Sequence, residues 1–205
     1  MKTDYDGPLI VGFGHRRRMG KDTLAWFVHR HLHMSVNTSA AVVPFARQLK
    51  VTAYKLFRCV GLQDHEWYDT HSEMREIPLP ELGKSPRDLW IEIGNKLRDV
   101  DPDIWIRNAL DAHPRPEADV VLIPDVRYPN EFKAIRDRGG VVVKVLRPGT
   151  PESSDVADSA LAGMKTGAWD RVILNDGDID ALDRKAGFLT QWIVRRLAAR
   201  NAAAE

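Results

Sequence analysis

The residues best suited to do chemistry lie close together near the start of the chain, in residues 12–23. This stretch reads Gly-Phe-Gly-His-Arg-Arg-Arg-Met-Gly-Lys-Asp-Thr. Glycine lets the backbone curl so that successive N–H groups point at one anion, and a lysine beside them adds a full positive charge. An apolar run at residues 9–11 leads into the stretch, and a helical pattern begins at Leu24. A strand, a glycine-bearing turn and a helix in this order predict a loop that binds the phosphates of a nucleotide. Residues 12–23 are called the phosphate loop below.

The phosphate loop departs from the common pattern of such loops at two positions. Four residues should separate its two glycines, but counting back from Gly20 places His15 first, one residue after Gly14. Either the loop is one residue longer, or His15 takes a backbone conformation that glycine usually supplies. Lys21 is followed by Asp22, where a magnesium-binding hydroxyl residue is common. We therefore expect the Asp22 carboxylate to supply a hard oxygen ligand to magnesium.

A second group of candidate residues follows the apolar run at residues 120–123. This run has the clearest pattern of a buried strand, and it ends in Pro124-Asp125-Val126-Arg127. An apolar strand that ends in aspartate is typical of the second magnesium-supporting element of P-loop proteins. Asp125 and Arg127 are two residues apart, so in an extended chain both project from one face. We expect both to face the phosphate site; the alternative is an ordinary solvated loop at a strand end.

Strand and helix patterns alternate along the chain and predict the elements that position these residues. The strand patterns lie at residues 9–13, 40–43, 120–123, 141–146 and 172–174. Helical patterns lie at residues 24–32, 49–57, 85–97, 101–110, 129–135 and 182–197. Ser85 is the expected N-cap of the third helix, and a proline follows it at the first helical position. This alternation predicts one three-layer α/β domain over residues 1–205, with a parallel β-sheet. In such a sheet, ligands bind at the carboxyl ends of the strands, which brings the phosphate loop, Phe45, Asp125 and Arg127 to the same edge. Residues 61–83 do not read as a core element, and residues 147–170 are irregular.

Composition and charge restrict the class of protein. The chain has 205 residues, of which 43% are apolar and 29% charged, and its formal net charge is +1. A net charge this small offers little excess positive charge for binding nucleic acid or a membrane surface, so we expect neither partner. Cys59 is the only cysteine, which fits a reducing compartment. The first residues lack the apolar core of a signal peptide, and no apolar run approaches a membrane span. We therefore expect a cytoplasmic location.

Six short motifs in the same order resemble one known family, and the likeness runs over most of the chain. They are Gly-Lys-Asp-Thr (20–23), Pro-Phe-Ala with Leu-Lys (44–50), Ser-Pro-Arg-Asp-Leu (85–89), Asp-Pro-Asp-Ile-Trp (101–105), Asp-Val-Arg-Tyr-Pro-Asn-Glu (125–131) and Asn-Asp-Gly (175–177). The family is the phage-type deoxynucleoside monophosphate kinases, relatives of adenylate kinase with the same P-loop fold. The resemblance implies an adenylate-kinase-like fold with insertions and transfer of the ATP γ-phosphoryl group to a deoxynucleoside 5′-monophosphate. It also implies magnesium, small-molecule partners and, for a phage-encoded chain, the host cytoplasm.

The resemblance further implies a role for each candidate residue. The ATP phosphates would contact Gly20, Lys21, Asp22 and Thr23, and we expect the preceding loop residues Gly14, His15, Arg16 and Arg18 to contact the nucleotide as well. The catalytic residues would be Lys21, Asp22, Arg87, Asp125 and Arg127, of which Asp22 and Asp125 would hold magnesium. The acceptor would contact Phe45, Lys50, Arg87 and Trp169. Residues 44–100 would form a monophosphate-binding insertion. Residues 147–170 would form a lid in which Trp169 stacks on a base, although Ala157-Asp158 stands where the family often has Ser-Glu.

Several alternatives stay open. The acceptor could be a ribonucleoside monophosphate or a phosphomevalonate-type compound, and a P-loop hydrolase or switch is the rival in another class. The run Asn95-Lys96-Leu97-Arg98-Asp99 resembles the guanine-reading Asn-Lys-x-Asp motif, but it has one residue too many and lies in a helical pattern. The cluster Arg16-Arg17-Arg18 would suit a nucleic-acid-binding module, and strong retention on heparin without ATP binding would favour it. A homodimer is compatible with the sequence.

Overall fold

Five parallel strands form one sheet in the computed structural model, which describes residues 5–112, 117–150 and 159–203. The strand order is β2-β3-β1-β4-β5, so β1 lies in the centre. The strands are β1 (Leu9–Gly14), β2 (Ala40–Val42), β3 (Val120–Val126), β4 (Val141–Leu146) and β5 (Arg171–Leu174). All four pairings are parallel, as the alternation of strands and helices predicts. The predicted α/β fold with a parallel β-sheet is confirmed.

Most helices lie close to the predicted positions, and one helix lies in residues 61–83, where none was expected. The helices are α1 (Lys21–Val36), α2 (Arg47–Phe57), α3 (His65–Thr70), α4 (Pro86–Val100), α5 (Ile104–Ile106), α6 (Pro129–Asp137) and α7 (Ile179–Ala202). Short 3₁₀ turns cover Arg58–Val60, Ser72–Glu76 and Thr166–Ala168. The helix predicted from residue 101 onward is instead the short α5 followed by a π-helical segment, Arg107–Asp111. Within the described ranges, no helix combines the length and the apolarity needed to cross a bilayer.

Helices cover both faces of the sheet, and β1 is buried on both. Leu9, Val11 and Phe13 are at most 2% exposed and pack in the core that α1 and α7 complete. The opposite face of β1 lies against α6, where a Cβ added to Gly12 would be 2.6 Å from Cδ1 of Ile135. Burial on both faces explains why β1 and β3 read as continuous apolar runs without polar alternation.

The chain leaves β1 and β3 toward opposite faces of the sheet. From β1 it enters α1, on the face shared with α7, whereas from β3 it enters α6 on the other face. The two strands are neighbours, and Gly14 at the end of β1 is paired with Val126 at the end of β3. Divergent connections from neighbouring parallel strands open a crevice at their carboxyl ends, where ligands bind in open α/β sheets. The phosphate loop and the segment carrying Asp125 and Arg127 both start at this crevice.

The chain divides into two compact units. The first contains Met1–Pro44 and Pro114–Glu205 and holds the whole sheet with α1, α6 and α7. The second is the continuous stretch Phe45–His113, which holds α2 to α5 and is inserted between β2 and β3. An insertion over residues 44–100 was expected from the sequence, and its role in binding a monophosphate stays a prediction.

The second unit has its own core, built around α4. Ser85 caps this helix as predicted: its Oγ accepts a hydrogen bond from the Asp88 N–H (3.1 Å), and Pro86 takes the first helical position. Trp90 of α4 packs edge-on against Tyr68 of α3 with ring centroids 5.2 Å apart. Tyr68 is 3% exposed, so residues 61–83 do contribute a core element, contrary to the expectation from their polar sequence. Burial raises the pKa of the Tyr68 hydroxyl.

The predicted lid lies only partly within the described chain. Residues 151–158, which include Ala157-Asp158, lie outside the described residues. In the remaining part, Leu161 and Trp169 are buried, with 1% and 6% exposure. Both side chains belong to the packed part of the first unit, and a lid function stays a prediction.

Candidate active site

The phosphate loop crosses from β1 to α1 through three left-handed backbone positions. The φ angles are 103° at His15, 59° at Arg18 and 89° at Gly20. His15 therefore takes the conformation that glycine usually supplies, which is the second of the two arrangements expected from the sequence. Gly20 immediately precedes Lys21, the first residue of α1. The N–H groups of the first helical turn have no partner within a helix, and they form a natural site for an anion such as a phosphate.

Lys21 lies inside the phosphate loop. It is only 4% exposed, and its Nζ donates a hydrogen bond to the carbonyl oxygen of Arg16. A buried ammonium group is costly unless it is hydrogen-bonded, so this carbonyl stabilises the Lys21 charge. Asp22 and Thr23 follow in the first turn of α1, exposed and half-buried respectively.

Trp169 packs against Gly14, where the phosphate loop leaves β1. Gly14 lies between Val126 of β3 and Lys144 of β4, and a Cβ added to it would be 2.7 Å from Cζ3 of Trp169. The indole also packs edge-on against Phe132 of α6, with centroids 5.2 Å apart. The ring is thus a buried packing partner of Gly14, and stacking on a base would require it to leave this position.

Glu131 fixes the turn that carries Asp125 and Arg127. It is 3% exposed, and its Oε2 accepts hydrogen bonds from the backbone N–H groups of Arg127 (2.7 Å) and Tyr128 (3.1 Å). Asp125 and Arg127 are both half-buried at the end of β3. Glu131 was not among the predicted site residues, although a Pro at the first helical position and a Glu at the third are a known signal for a capped helix start.

Asn175 is a second site residue without a predicted role. It follows β5 within the Asn-Asp-Gly motif, and its Nδ2 donates a hydrogen bond to the carbonyl oxygen of Met19 in the phosphate loop (3.1 Å). Lys185 of α7 donates to the Leu174 carbonyl and to Asp176 Oδ1, both at 2.5 Å. The hydrogen bond from Lys185 holds the pKa of the Asp176 carboxyl below its usual value. The motif was the only sequence signal that pointed to Asn175.

The remaining predicted residues belong to the second unit. Phe45 is 2% exposed, and Lys50 Nζ lies 5.3 Å from the centroid of the Trp90 ring. Arg87 is the second residue of α4, and its Nε donates to Glu76 Oε1 at 2.5 Å. The first unit therefore contains the phosphate loop with Asp125, Arg127 and Trp169, whereas the second contains the other predicted acceptor contacts.

The predicted magnesium ligands are two separate carboxylates. Within the described part of the chain, no three His, Cys, Asp or Glu side chains gather into a metal-binding group. Magnesium commonly keeps several waters and binds through one or two carboxylates together with substrate phosphates. Asp22 at the start of α1 and Asp125 at the end of β3 supply the donor type that such a site needs.

Comparisons with known proteins point to one family. Residues 95–186 match the sequence profile of the deoxynucleotide monophosphate kinases. A protein of Acanthamoeba polyphaga mimivirus named "putative deoxynucleotide monophosphate kinase" is 29% identical over 189 residues, covering 84% of this chain and 91% of that protein. Among solved structures, the APS kinase CysC of Mycobacterium tuberculosis is 16% identical with a TM-score of 0.41, covering 90% of this chain and 99% of that chain. A sugar kinase of Janibacter is 13% identical with a TM-score of 0.37, covering 88% and 92%.

The profile match contains three of the six motifs on which the family resemblance was based. These are the motifs at residues 101–105, 125–131 and 175–177. They carry Asp125, Arg127, Glu131 and Asn175, which line or support the carboxyl edge of the sheet in the structure. Residues 95–186 are thus similar in sequence to the deoxynucleotide monophosphate kinases.

Proposed function

We propose that the protein transfers the γ-phosphoryl group of ATP to a deoxynucleoside 5′-monophosphate. The observation that carries this proposal is the Lys21 ammonium inside the phosphate loop, at the same sheet edge as Asp125 and Arg127. The sequence similarities support the acceptor class, since the matching profile and the mimivirus relative both bear a deoxynucleotide monophosphate kinase name. The profile match does not include the phosphate loop, so the ATP site is argued from the loop's own geometry.

The ATP phosphates would lie on the backbone N–H groups of the phosphate loop. Lys21 Nζ would exchange the Arg16 carbonyl for β- and γ-phosphate oxygens, which offer a stronger, charge-assisted hydrogen bond. The proposed nucleotide contacts are Gly14, His15, Arg16, Arg18, Gly20, Lys21, Asp22 and Thr23. Phosphoryl transfer needs the two substrates aligned and the charge on the transferring group neutralised, and Lys21 and Arg127 would supply positive charge there.

Asp22, and Asp125 through water, would hold a magnesium ion. Bound magnesium would neutralise charge on the β- and γ-phosphate oxygens during transfer. The part played by this chain is to present one carboxylate from α1 and one from β3, while Glu131 keeps the end of β3 in place. Fixed groups of this kind stabilise developing charge without having to reorganise.

The acceptor's phosphate would bind at the start of α4. Arg87 lies in the first turn of α4, at the positive end of the helix dipole, which favours an anion. The Glu76 carboxylate accepts from Nε of Arg87 and orients the guanidinium group, which has five N–H donors in total. Phe45 and Lys50 are proposed as further acceptor contacts in the same unit.

The proposal is tested by measuring ADP release from ATP with magnesium against a panel of ribo- and deoxyribonucleoside monophosphates. Fast turnover with at least one deoxyribonucleoside monophosphate, and slow turnover with the matching ribonucleotide, is the expected result. Acceptor-independent ATP hydrolysis would instead show a P-loop hydrolase. Turnover restricted to ribonucleotides or to a phosphomevalonate-type compound would show that the protein is a kinase with a different acceptor. The proposal includes a cytoplasmic location, where ATP and the monophosphates would be available.

A further inference from the structure

Asn175 lies at the end of β5 and contacts the phosphate loop directly. It is 7% exposed, and its Nδ2 donates to the Met19 carbonyl oxygen at 3.1 Å. That carbonyl belongs to the peptide bond between Met19 and Gly20, immediately before α1. The hydrogen bond therefore acts on the peptide unit that sets the direction of the first helical N–H groups.

Asn175 is itself held firmly in place. Its backbone N–H donates to the Leu146 carbonyl at the end of β4 (2.6 Å). The residues on either side of it are both hydrogen-bonded to Lys185 of α7, through the Leu174 carbonyl and Asp176 Oδ1. Asn175 is thus anchored to β4 and α7, so its amide group is a fixed point for the phosphate loop.

Gly20 is shaped to accept this contact. A Cβ at Gly20 would lie 2.5 Å from Nδ2 of Asn175, and the φ angle of 89° also favours glycine. The sulfur of Met19 accepts a hydrogen bond from the backbone N–H of Arg147 (3.2 Å), which is a second link to the end of β4. Met19 is therefore hydrogen-bonded to residues that follow both β4 and β5.

We propose that Asn175 is a positioning residue for the phosphate loop. It keeps the Met19–Gly20 peptide in the orientation that gives Gly20 its left-handed conformation, and so directs the N–H groups at the start of α1 toward the nucleotide phosphates. It acts through the loop and contacts no substrate. The inference rests on the proposed function only for the identity of the ligand, a nucleoside di- or triphosphate.

The test compares Asn175→Ala and Asn175→Asp with the parent protein and a matched control. Asn108→Ala is the control because Asn108 Nδ2 donates a similar hydrogen bond to a backbone carbonyl, that of Ile104 (2.9 Å), in the second unit. Hydrogen exchange of peptides covering residues 15–23 is measured without nucleotide, and the Kd for ADP with magnesium is measured by calorimetry. We expect faster exchange over residues 15–23 in both Asn175 variants, with unchanged exchange in β1, β3 and β4.

We also expect Asn175→Ala to raise the Kd for ADP by roughly tenfold, the size of one lost hydrogen bond to a buried carbonyl. Asn175→Asp should have a larger effect, since it puts an acceptor against the Met19 carbonyl and a negative charge near the phosphates. Steady-state kinetics should show a raised KM for ATP and an unchanged KM for the monophosphate. Asn108→Ala should leave the exchange of residues 15–23 and the Kd for ADP at parent values.

Two results would overturn the inference. One is parent-like exchange over residues 15–23 together with a Kd for ADP within about twofold of the parent in both Asn175 variants. The other is faster exchange throughout the sheet, which would make Asn175 a general stability residue. Failure of the proposed function is a separate result: the parent would then neither bind ADP nor phosphorylate any monophosphate, and the exchange comparison would still decide the role of Asn175.

Discussion

His15 shows how a single residue can hold a backbone conformation that its own side chain disfavours. Its φ of 103° lies where a Cβ is strained, and such strain costs on the order of 1–3 kcal/mol. The side chain is 8% exposed, so its packing offsets part of this cost. The phosphate loop thus reaches a glycine-like geometry without glycine at this position.

We predict that His15→Gly is more stable than His15→Ala by about 1 kcal/mol, because both remove the side chain but only alanine keeps the strain. At an ordinary helical site the order is reversed, and the exposed Arg195 of α7 offers the control pair Arg195→Gly and Arg195→Ala. Urea unfolding of the four variants measures both differences. Equal stability of the two His15 variants would mean that the loop relaxes and His15 carries no strain.

We predict that Lys21→Ala lowers the rate of phosphoryl transfer by a factor on the order of 10²–10³ while the fold is kept, because a charge that stabilises the transferring group is lost. Lys133→Ala is the control, since Lys133 is an exposed lysine of α6 that pairs with Asp137. Single-turnover rates and thermal unfolding are measured together. ATP turnover within about threefold of the parent would contradict the assignment of the phosphate loop.

Arg87 and Arg127 are predicted to affect different kinetic constants. Arg87→Lys should raise the KM for the monophosphate and leave the KM for ATP nearly unchanged, because lysine cannot reproduce a bidentate phosphate contact. Arg127→Lys should act mainly on kcat, since its contact would strengthen as charge develops. Steady-state kinetics with each substrate varied distinguish the two. The reverse pattern would exchange the roles, and equal effects on both substrates would indicate a structural ion pair.

At the scale of the elements, the sequence predicted what depends on local pattern. The buried strands β1, β3 and β4 read as apolar runs, and α4 and α6 begin at Pro86 and Pro129 as expected. Local pattern did not predict the contacts made by Trp169 and Asn175 with the phosphate loop. Trp169 and Asn175 are each more than a hundred residues from the loop residue that they contact, so these contacts depend on the order of the strands in the sheet.

The contact between Gly14 and Trp169 leads to a prediction about the end of β1. Gly14→Ala should destabilise the protein by about 1–3 kcal/mol, because the new Cβ would meet the Cζ3 and Cη2 atoms of Trp169 at 2.7 and 2.8 Å. Trp169→Phe removes those ring atoms. We therefore expect the double variant to be more stable than the sum of the two single effects predicts, as measured in a double-mutant cycle. Strictly additive effects would show that the two residues do not meet.

At the scale of the whole first unit, Asp183 links its first helix to its last. The carboxylate on α7 accepts hydrogen bonds from Arg30 (2.7 Å) and His31 (2.9 Å) on α1. Burial alone would raise the pKa of Asp183, but the hydrogen bonds from His31 and Arg30 outweigh it and lower the pKa. A carboxyl whose pKa is lower in the folded protein stabilises the fold in full above its unfolded pKa, and this contribution disappears as the pH falls through the folded value.

We predict that Asp183→Asn is less stable than the parent at pH 5 and that the difference shrinks below about pH 4, the usual pKa of an unfolded aspartate. The exposed Asp180 in the first turn of α7 gives the control variant Asp180→Asn. Urea midpoints between pH 5 and pH 2.5 measure the effect. A difference that stays constant over this interval would mean that the ion pair does not stabilise the fold.

The insertion of the second unit between β2 and β3 also determines which unit can fold first during synthesis on the ribosome. The hydrogen-bonded neighbours of β1 are β3 and β4, and β3 is synthesised more than a hundred residues after β1. At a synthesis rate of about 5–20 residues per second, roughly 5–20 s pass between the synthesis of β1 and that of β3, its first neighbour to be made. The inserted unit is one continuous stretch and is complete before β3 appears. Of the two units it is therefore the first that can fold, whereas the phosphate loop makes its contact with Asn175 only after β4 and β5 have been synthesised.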